Sequence, residues 1–361
     1  MHLADILNRR TAPGAAISLG ITRRCPLSCA HCATSSTLAS DESATEKLLA
    51  FVRTMTEQSR PDFLLMSGGE ALLRPQLVRR IADHARRIGA RSQVLSGLFF
   101  ANGPRIPRPV KAAIDAVDHF SASFDAYHER EVPRAAAFKV LRQLLDEGKD
   151  VSMQLVGLGP DDRYLADLVG EVRSTFEDRI PMFVAPVVPH GRARSWVESG
   201  PEPHFPGQAL PCTVAGWPVV GFDGRVTTCG NQDVMDGKVP MPDHLLLGDI
   251  AVDDWAAIKE RCLASSTLRV LRALGPLYLS QRAGARSCSG YCETCWALSE
   301  KPDLPAMLDG DAQKNLAIEA VAQQILADAG PVAFARQWGI AEYADLVMLG
   351  LPKQRNAQWN V

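Results

Sequence analysis

Six short apolar runs alternate with amphipathic stretches through the first half of this 361-residue chain, and few folds accommodate that rhythm. AAISLGI (15–21), FLLMS (63–67), SQVLSG (92–97), FSASFD (120–125), VSMQLVG (151–157) and MFVAPVV (182–188) have the length and continuity of buried strands. Between them TEKLLAFVRTMTEQ, PQLVRRIADHARRIG, PRAAAFKVLRQLLDEG and LADLVGEVRSTFE repeat apolar residues at helical spacing, with Gly89 and Gly148 closing two of them. The expectation is an α/β fold whose parallel sheet curls into a full or partial barrel. In such a barrel the chemistry gathers where the strands end. The chain is also long enough to carry a smaller second domain.

Nine cysteines are unevenly spread: three at 25 to 32, none between 33 and 211, and six between 212 and 295. Where thiols stay reduced, clustered cysteines bind metal or do redox work more often than they form disulfides. The first three, in CPLSCAHC, have CxxxCxxC spacing and leave a fourth position without a protein donor. An iron–sulfur cubane on three thiolates keeps one iron open, whereas a structural zinc site closes on four ligands. Gly68, Gly69 and Glu70 follow the second run, Ser96 the third and Asp125 the fourth, so all point into one barrel mouth. A formal charge of −2 without a Lys/Arg block gives nucleic acid no support as a partner. Neither a signal peptide nor an apolar stretch of bilayer length is found, so a cytoplasmic protein with no membrane partner is expected.

CPLSCAHC together with SGGEALLRP resembles the radical S-adenosylmethionine (SAM) superfamily, whose core is a partial (β/α)6 barrel. The resemblance implies that Cys25, Cys29 and Cys32 hold a 4Fe–4S cluster whose open iron takes the amino and carboxylate groups of SAM. It implies also that His31 packs near the adenine and that Gly68, Gly69 and Glu70 bind the methionine end. Taken alone, GGE reads as a turn. Ser96 and Asp125 stand where the family often contacts ribose and methionine; the ordinary reading is a helix cap. In PVVPHGRAR, Arg192 or Arg194 could reach SAM's carboxylate or the substrate, or lie in a solvated basic loop. The implied reaction is reductive cleavage of SAM to a 5′-deoxyadenosyl radical that takes hydrogen from a substrate, with flavodoxin or ferredoxin as electron donor.

The second cysteine group begins at Cys212, continues through a hairpin of WPVVGF and RVTTC joined by Asp223-Gly224, and includes Cys229. LLLGDI (245–250), a helix-like stretch from Asp254 to Ala273, and CSGYCETCW follow. This order resembles the SPASM/Twitch extension of radical SAM enzymes, which binds auxiliary iron–sulfur clusters. Six thiols suit one such cluster, with Cys212, Cys229, Cys292 and Cys295 as preferred ligands and Cys288 as a possible replacement. A zinc site on the same thiols competes. Cys262 is then surplus: on a helix with Trp255 and Ile258 it reads as a buried small hydrophobe, or as a catalytic hydrogen-atom donor.

The expected domains are a barrel (1–197), a cluster-binding extension (212–297) and a helical tail (298–361), with the boundary in ESGPEPHFPGQALP. Twenty-four residues precede Cys25, too few for the winged-helix domain that recognises peptides in many relatives. The expected function is oxidation, crosslinking or epimerisation in peptide natural-product maturation. The alternatives are a dehydrogenase or epimerase of small, aminosugar-type molecules and a non-catalytic zinc or iron–sulfur scaffold.

Overall fold

The computed structural model describes residues 1–42, 44–198, 210–286, 288 and 290–352. Most of the segment in which the sequence places a domain boundary, 199–209, lies outside them. Each apolar run becomes a strand: β1 (Ala16–Gly20), β2 (Phe63–Ser67), β3 (Arg91–Ser96), β4 (His119–Ser123), β5 (Asp150–Gly157) and β6 (Met182–Pro186). They pair in sequence order and all in parallel, which is the half-closed barrel expected. Helices α2 (Thr45–Arg53), α3 (Pro75–Arg87), α4 (Arg108–Ala116), α5 (Arg134–Asp146) and α6 (Arg163–Phe176) connect them, after an N-terminal α1 (Leu3–Asn8). Ile17, Leu64, Val94, Phe120 and Met153 from the strands join Val52, Ile81, Ile114, Leu141 and Leu168 from the helices in one buried core. Gly89 and Gly148 follow α3 and α5 with φ of +74° and +80°, the left-handed turn that ends a helix. Helix α4 had escaped the periodicity reading because nine residues between Pro107 and Val117 carry too few repeats.

The barrel's lower end is closed by polar groups. On β4, His119 and Ser121 project together toward Ser152 of β5, with His119 Nε2 2.7 Å and Ser121 Oγ 3.0 Å from Ser152 Oγ. The other ring nitrogen of His119 bonds the carbonyl of Met1, so the chain's first residues cap the strands.

β7 (Val219–Val220), β8 (Arg225–Thr227) and β9 (Leu246–Asp249) extend the same sheet rather than forming their own. β7 pairs in parallel with β1, Ser18 opposite Val219, and the expected hairpin then runs antiparallel through β8 to β9. After a short α7 (Gln232–Met235), the helix-like stretch from 254 to 273 breaks into α8 (Trp255–Ala264) and α9 (Ser266–Ala283). Ser265 stops the first and caps the second, accepting from Leu268 N at 3.3 Å. Then come α10 (Tyr291–Ala297), α11 (Leu304–Asp309) and α12 (Ala312–Trp338), kinked at Gly330-Pro331 where the sequence separates two helices. The tail packs on the body: Glu319 of α12 meets Arg272 of α9 at 2.5 Å with both side chains buried, and Ile340 N bonds Val184 O.

Candidate active site

The loop bearing Cys25, Cys29 and Cys32 leaves the C-terminal end of β1 and is held by a strap that follows β6. Arg192 donates its backbone N–H to Cys32 O (3.0 Å), Nε to Cys29 O (2.8 Å) and Nη1 to Ser36 O (2.7 Å). Trp196 Nε1 donates to Ala30 O (3.1 Å). Gly191 permits this approach: its φ is +56°, and a Cβ there would lie 2.3 Å from the carbonyl oxygens of Cys32 and Ala33. Two of the three guanidinium nitrogens of Arg192 thus hold loop carbonyls. Arg194 pairs with Asp233, as does His190.

The two glycines of GGE have a similar duty. Gly68 has a φ of +149°, and a Cβ on it would sit 2.3 Å from Thr22 O; one on Gly69 would sit 2.5 Å from Arg23 O and Arg24 O. Gly69 N donates to Thr22 O (2.7 Å) and Glu70 N to Arg24 O (2.9 Å), so this turn docks the run-up to the cysteine loop. Glu70 is 1% exposed, and its carboxylate accepts from Leu72 N (2.9 Å), Gly97 N (2.9 Å) and Ser96 Oγ (3.1 Å). Burial raises its pKa to about 7 against the pull of those donors. Ser96 thus serves Glu70, joining the ends of β2 and β3.

Asp125, after β4, is fully buried and accepts from the N–H groups of Tyr127 (2.9 Å) and His128 (3.2 Å), the pattern of an Asx turn. Its carboxylate also faces His128 Nδ1 (3.0 Å) and His31 Nε2 (3.2 Å). Burial works against the charged form of His128, but Asp125 and the nearby Cys29 sulfur raise it to about 10. His31, Tyr127 and Trp196 stack in series, with centroid separations of 4.7 and 5.4 Å, and form an aromatic wall beside the cysteines. His128, Tyr127 and Trp196 were not read from the sequence, although the i, i+3 spacing of Asp125 and His128 was a usable signal.

The second group gathers four thiols. Cys295 feels the charge of Cys212, Cys229 and Cys292, and burial pushes its own thiol well up. Cys229 is raised to about 11 and Cys212 is raised too, again by burial. His244, neutralised by burial, stands 3.4 Å from Cys295 Sγ. Cys288 lines an open cleft of about 730 Å³ with Met241, Arg286 and Trp296. Cys262 is not brought to either group. It is fully buried on α8, its Sγ donates to Gly216 O at 3.8 Å, and Gly216 precedes β7, at the lower end of the barrel. That is the environment of a packing thiol.

A cavity of about 230 Å³ lies against β1, β2 and β7. Thr34 and Gly68 line it at the mouth; Val214 and Gly230, neighbours in sequence of Cys212 and Cys229, line it below. Thr34 Oγ1 is 3.3 Å from Cys32 Sγ.

Residues 19–172 match the model of the radical SAM superfamily. The matched stretch contains the cysteine loop, the GGE turn and Asp125. Among solved structures, anSMEcpe with bound AdoMet superposes with a TM-score of 0.50 at 11% identity, covering 83% of this chain and 99% of that one. Streptococcus suis SuiB bound to SAM gives 0.49 at 11% identity over 80% and 72%. BtrN in complex with AdoMet and 2-DOIA gives 0.43 at 14% over 73% and 89%. At such identities the likeness is one of fold. No curated protein matches the chain by sequence.

Radical SAM enzymes use a 4Fe–4S cluster and SAM, and the first site suits the cluster by its donors. Burial lifts the Cys25 thiol to about 12, with Glu70, Cys29 and Cys32 adding to the rise, so this sulfur stays protonated until a cation takes the proton's place. When bound, such a cluster supplies the electron that cleaves SAM. The barrel contributes the loop, the strap that holds it, and the aromatic wall. Among the described residues no helix is long and apolar enough to cross a membrane.

Proposed function

We propose that this radical SAM enzyme carries one auxiliary iron–sulfur cluster on Cys212, Cys229, Cys292 and Cys295, in a Twitch-like extension, and oxidises a peptide side chain. The observation that carries the reading is a cavity lined by Thr34, two residues after Cys32, and by Val214 and Gly230, which follow Cys212 and Cys229 in the chain. A substrate lodged there lies between the start of the radical chemistry and a second redox centre that can take an electron from it, which favours net oxidation or crosslinking. The cavity's size supports a peptide: about 230 Å³ is less than the ~300–1,000 Å³ of small-molecule pockets and suits one inserted side chain. The half-buried thiols of Cys212, Cys229 and Cys295, each raised by desolvation, support a cationic metal group there.

Anaerobic reconstitution followed by iron counting tests the cluster assignment. About eight irons per chain are expected, falling to about four in Cys295→Ala, with Cys288→Ser unchanged. Zinc at the second group, or no 5′-deoxyadenosine on reduction with SAM, would sink the reading. Incubation with peptides and with aminosugars, each deuterated, then reports the substrate class by label transfer into 5′-deoxyadenosine.

A further inference from the structure

We infer that the floor of the barrel cavity is a carboxylate-binding subsite built on Arg10, and that the substrate enters it with a carboxylate group. The inference rests on the enzyme reading above and adds the chemical class of what is bound.

Arg10 precedes β1 and lines the cavity together with Ser18 of β1, Ser67 of β2 and Gln232 of α7. Its guanidinium carbon lies 4.2 Å from the centroid of the buried Trp217 ring. A guanidinium stacked by its face keeps the N–H groups in its plane free, and that edge matches a carboxylate in a bidentate manner. Among the described residues no carboxylate pairs with the half-buried Arg10 and no acceptor takes a hydrogen bond from its guanidinium, whereas the buried Arg272 has Glu319. Burial draws the Arg10 pKa down to about 10, with the Cys212 sulfur as the offsetting influence. A half-buried cation without a counter-charge is partly stripped of water, and an incoming anion offsets that cost. The two serine hydroxyls supply further partners for carboxylate oxygens, whereas the Gln232 amide nitrogen already donates to Asp236 (2.8 Å). Val220 and Phe222 supply apolar wall for the carbon skeleton. The cofactor's own carboxylate is assigned by the family resemblance to the open iron at the mouth, which leaves this floor to the substrate.

The test uses the full-length enzyme, reconstituted anaerobically and saturated with SAM. Titration calorimetry with N-acetyl-leucine and with N-acetyl-leucinamide compares ligands of the same shape that differ in charge. The acid is expected to bind about tenfold tighter or more. Arg10→Gln is expected to bring the ratio close to one, and Arg10→Lys to keep part of it, with iron content and SAM affinity unchanged in both. No acid preference in the unsubstituted enzyme overturns the inference without any variant. So does a preference that survives Arg10→Gln, or inorganic phosphate binding tighter than the acid. Loss of iron or of SAM affinity in Arg10→Gln also overturns it, by assigning the arginine to Cys212 or to the cofactor. Iron content and SAM cleavage in the unsubstituted enzyme report separately on the reading beneath.

Discussion

Glu70 illustrates how far a residue's motif and its structural duty differ. Its carboxylate is sealed from water and its three donors come from the ends of two strands, so the barrel rim depends on it. Burial raises its pKa from 4.5 to about 7. The folded protein therefore holds a proton that the unfolded chain releases between those values. The resulting stabilisation is full below pH ~4.5 and lost as pH rises through 7, on the order of 3 kcal/mol. Denaturant melts at pH 5 and pH 7.5 are expected to fall further apart for the native protein than for Glu70→Gln, and equal differences would refute this. Gly191→Ala is the matching backbone test. Its methyl group would press on two carbonyls of the cysteine loop at a positive φ, so iron loading is expected to drop and stability to fall by about 1–3 kcal/mol. Full iron content in this variant would show that the strap yields without cost.

Among the elements, α9 and α12 carry the clearest energetic link between the tail and the body. Arg272 of α9 donates to Glu319 (2.5 Å) and to the carbonyl of Cys262 (3.0 Å), with both ion-pair side chains out of water. Removing one partner leaves an uncompensated buried charge, so Glu319→Ala is expected to destabilise the protein by about 3–5 kcal/mol, read by chemical denaturation. Replacing both by apolar residues, as in Glu319→Leu with Arg272→Met, is expected to recover most of that loss. If the double variant is no better than the single one, the charges are not what the helices exchange. The same element arrangement explains Cys262. Trp255, Ile258 and Cys262 turn one face of α8 inward, so its helical spacing already described a packing position.

On the scale of the molecule, the auxiliary region is not an appendage. Its hairpin completes a nine-stranded sheet along the edge of β1, where Ser18 N donates to Pro218 O at 2.9 Å. A chain ended at Glu198 would expose that strand edge, and size-exclusion chromatography is expected to show aggregates; a soluble monomer would contradict the sheet's continuity. The alternation of apolar runs and amphipathic stretches was enough to read six parallel strands in order, because buried strands and their covering helices each leave a local period in the chain. CPLSCAHC and GGE were likewise legible, since loop ligands and close-packed glycines are short contiguous words. Tertiary structure alone brought Arg192 to the carbonyls of the cysteine loop, Ser96 to Glu70, and Cys262 to Gly216. It alone brought Arg10, 202 residues from Cys212 in the chain, to the floor of the same cavity as Gly68. Contacts between distant segments depend on how the sheet closes, and no local pattern of residues carries that information.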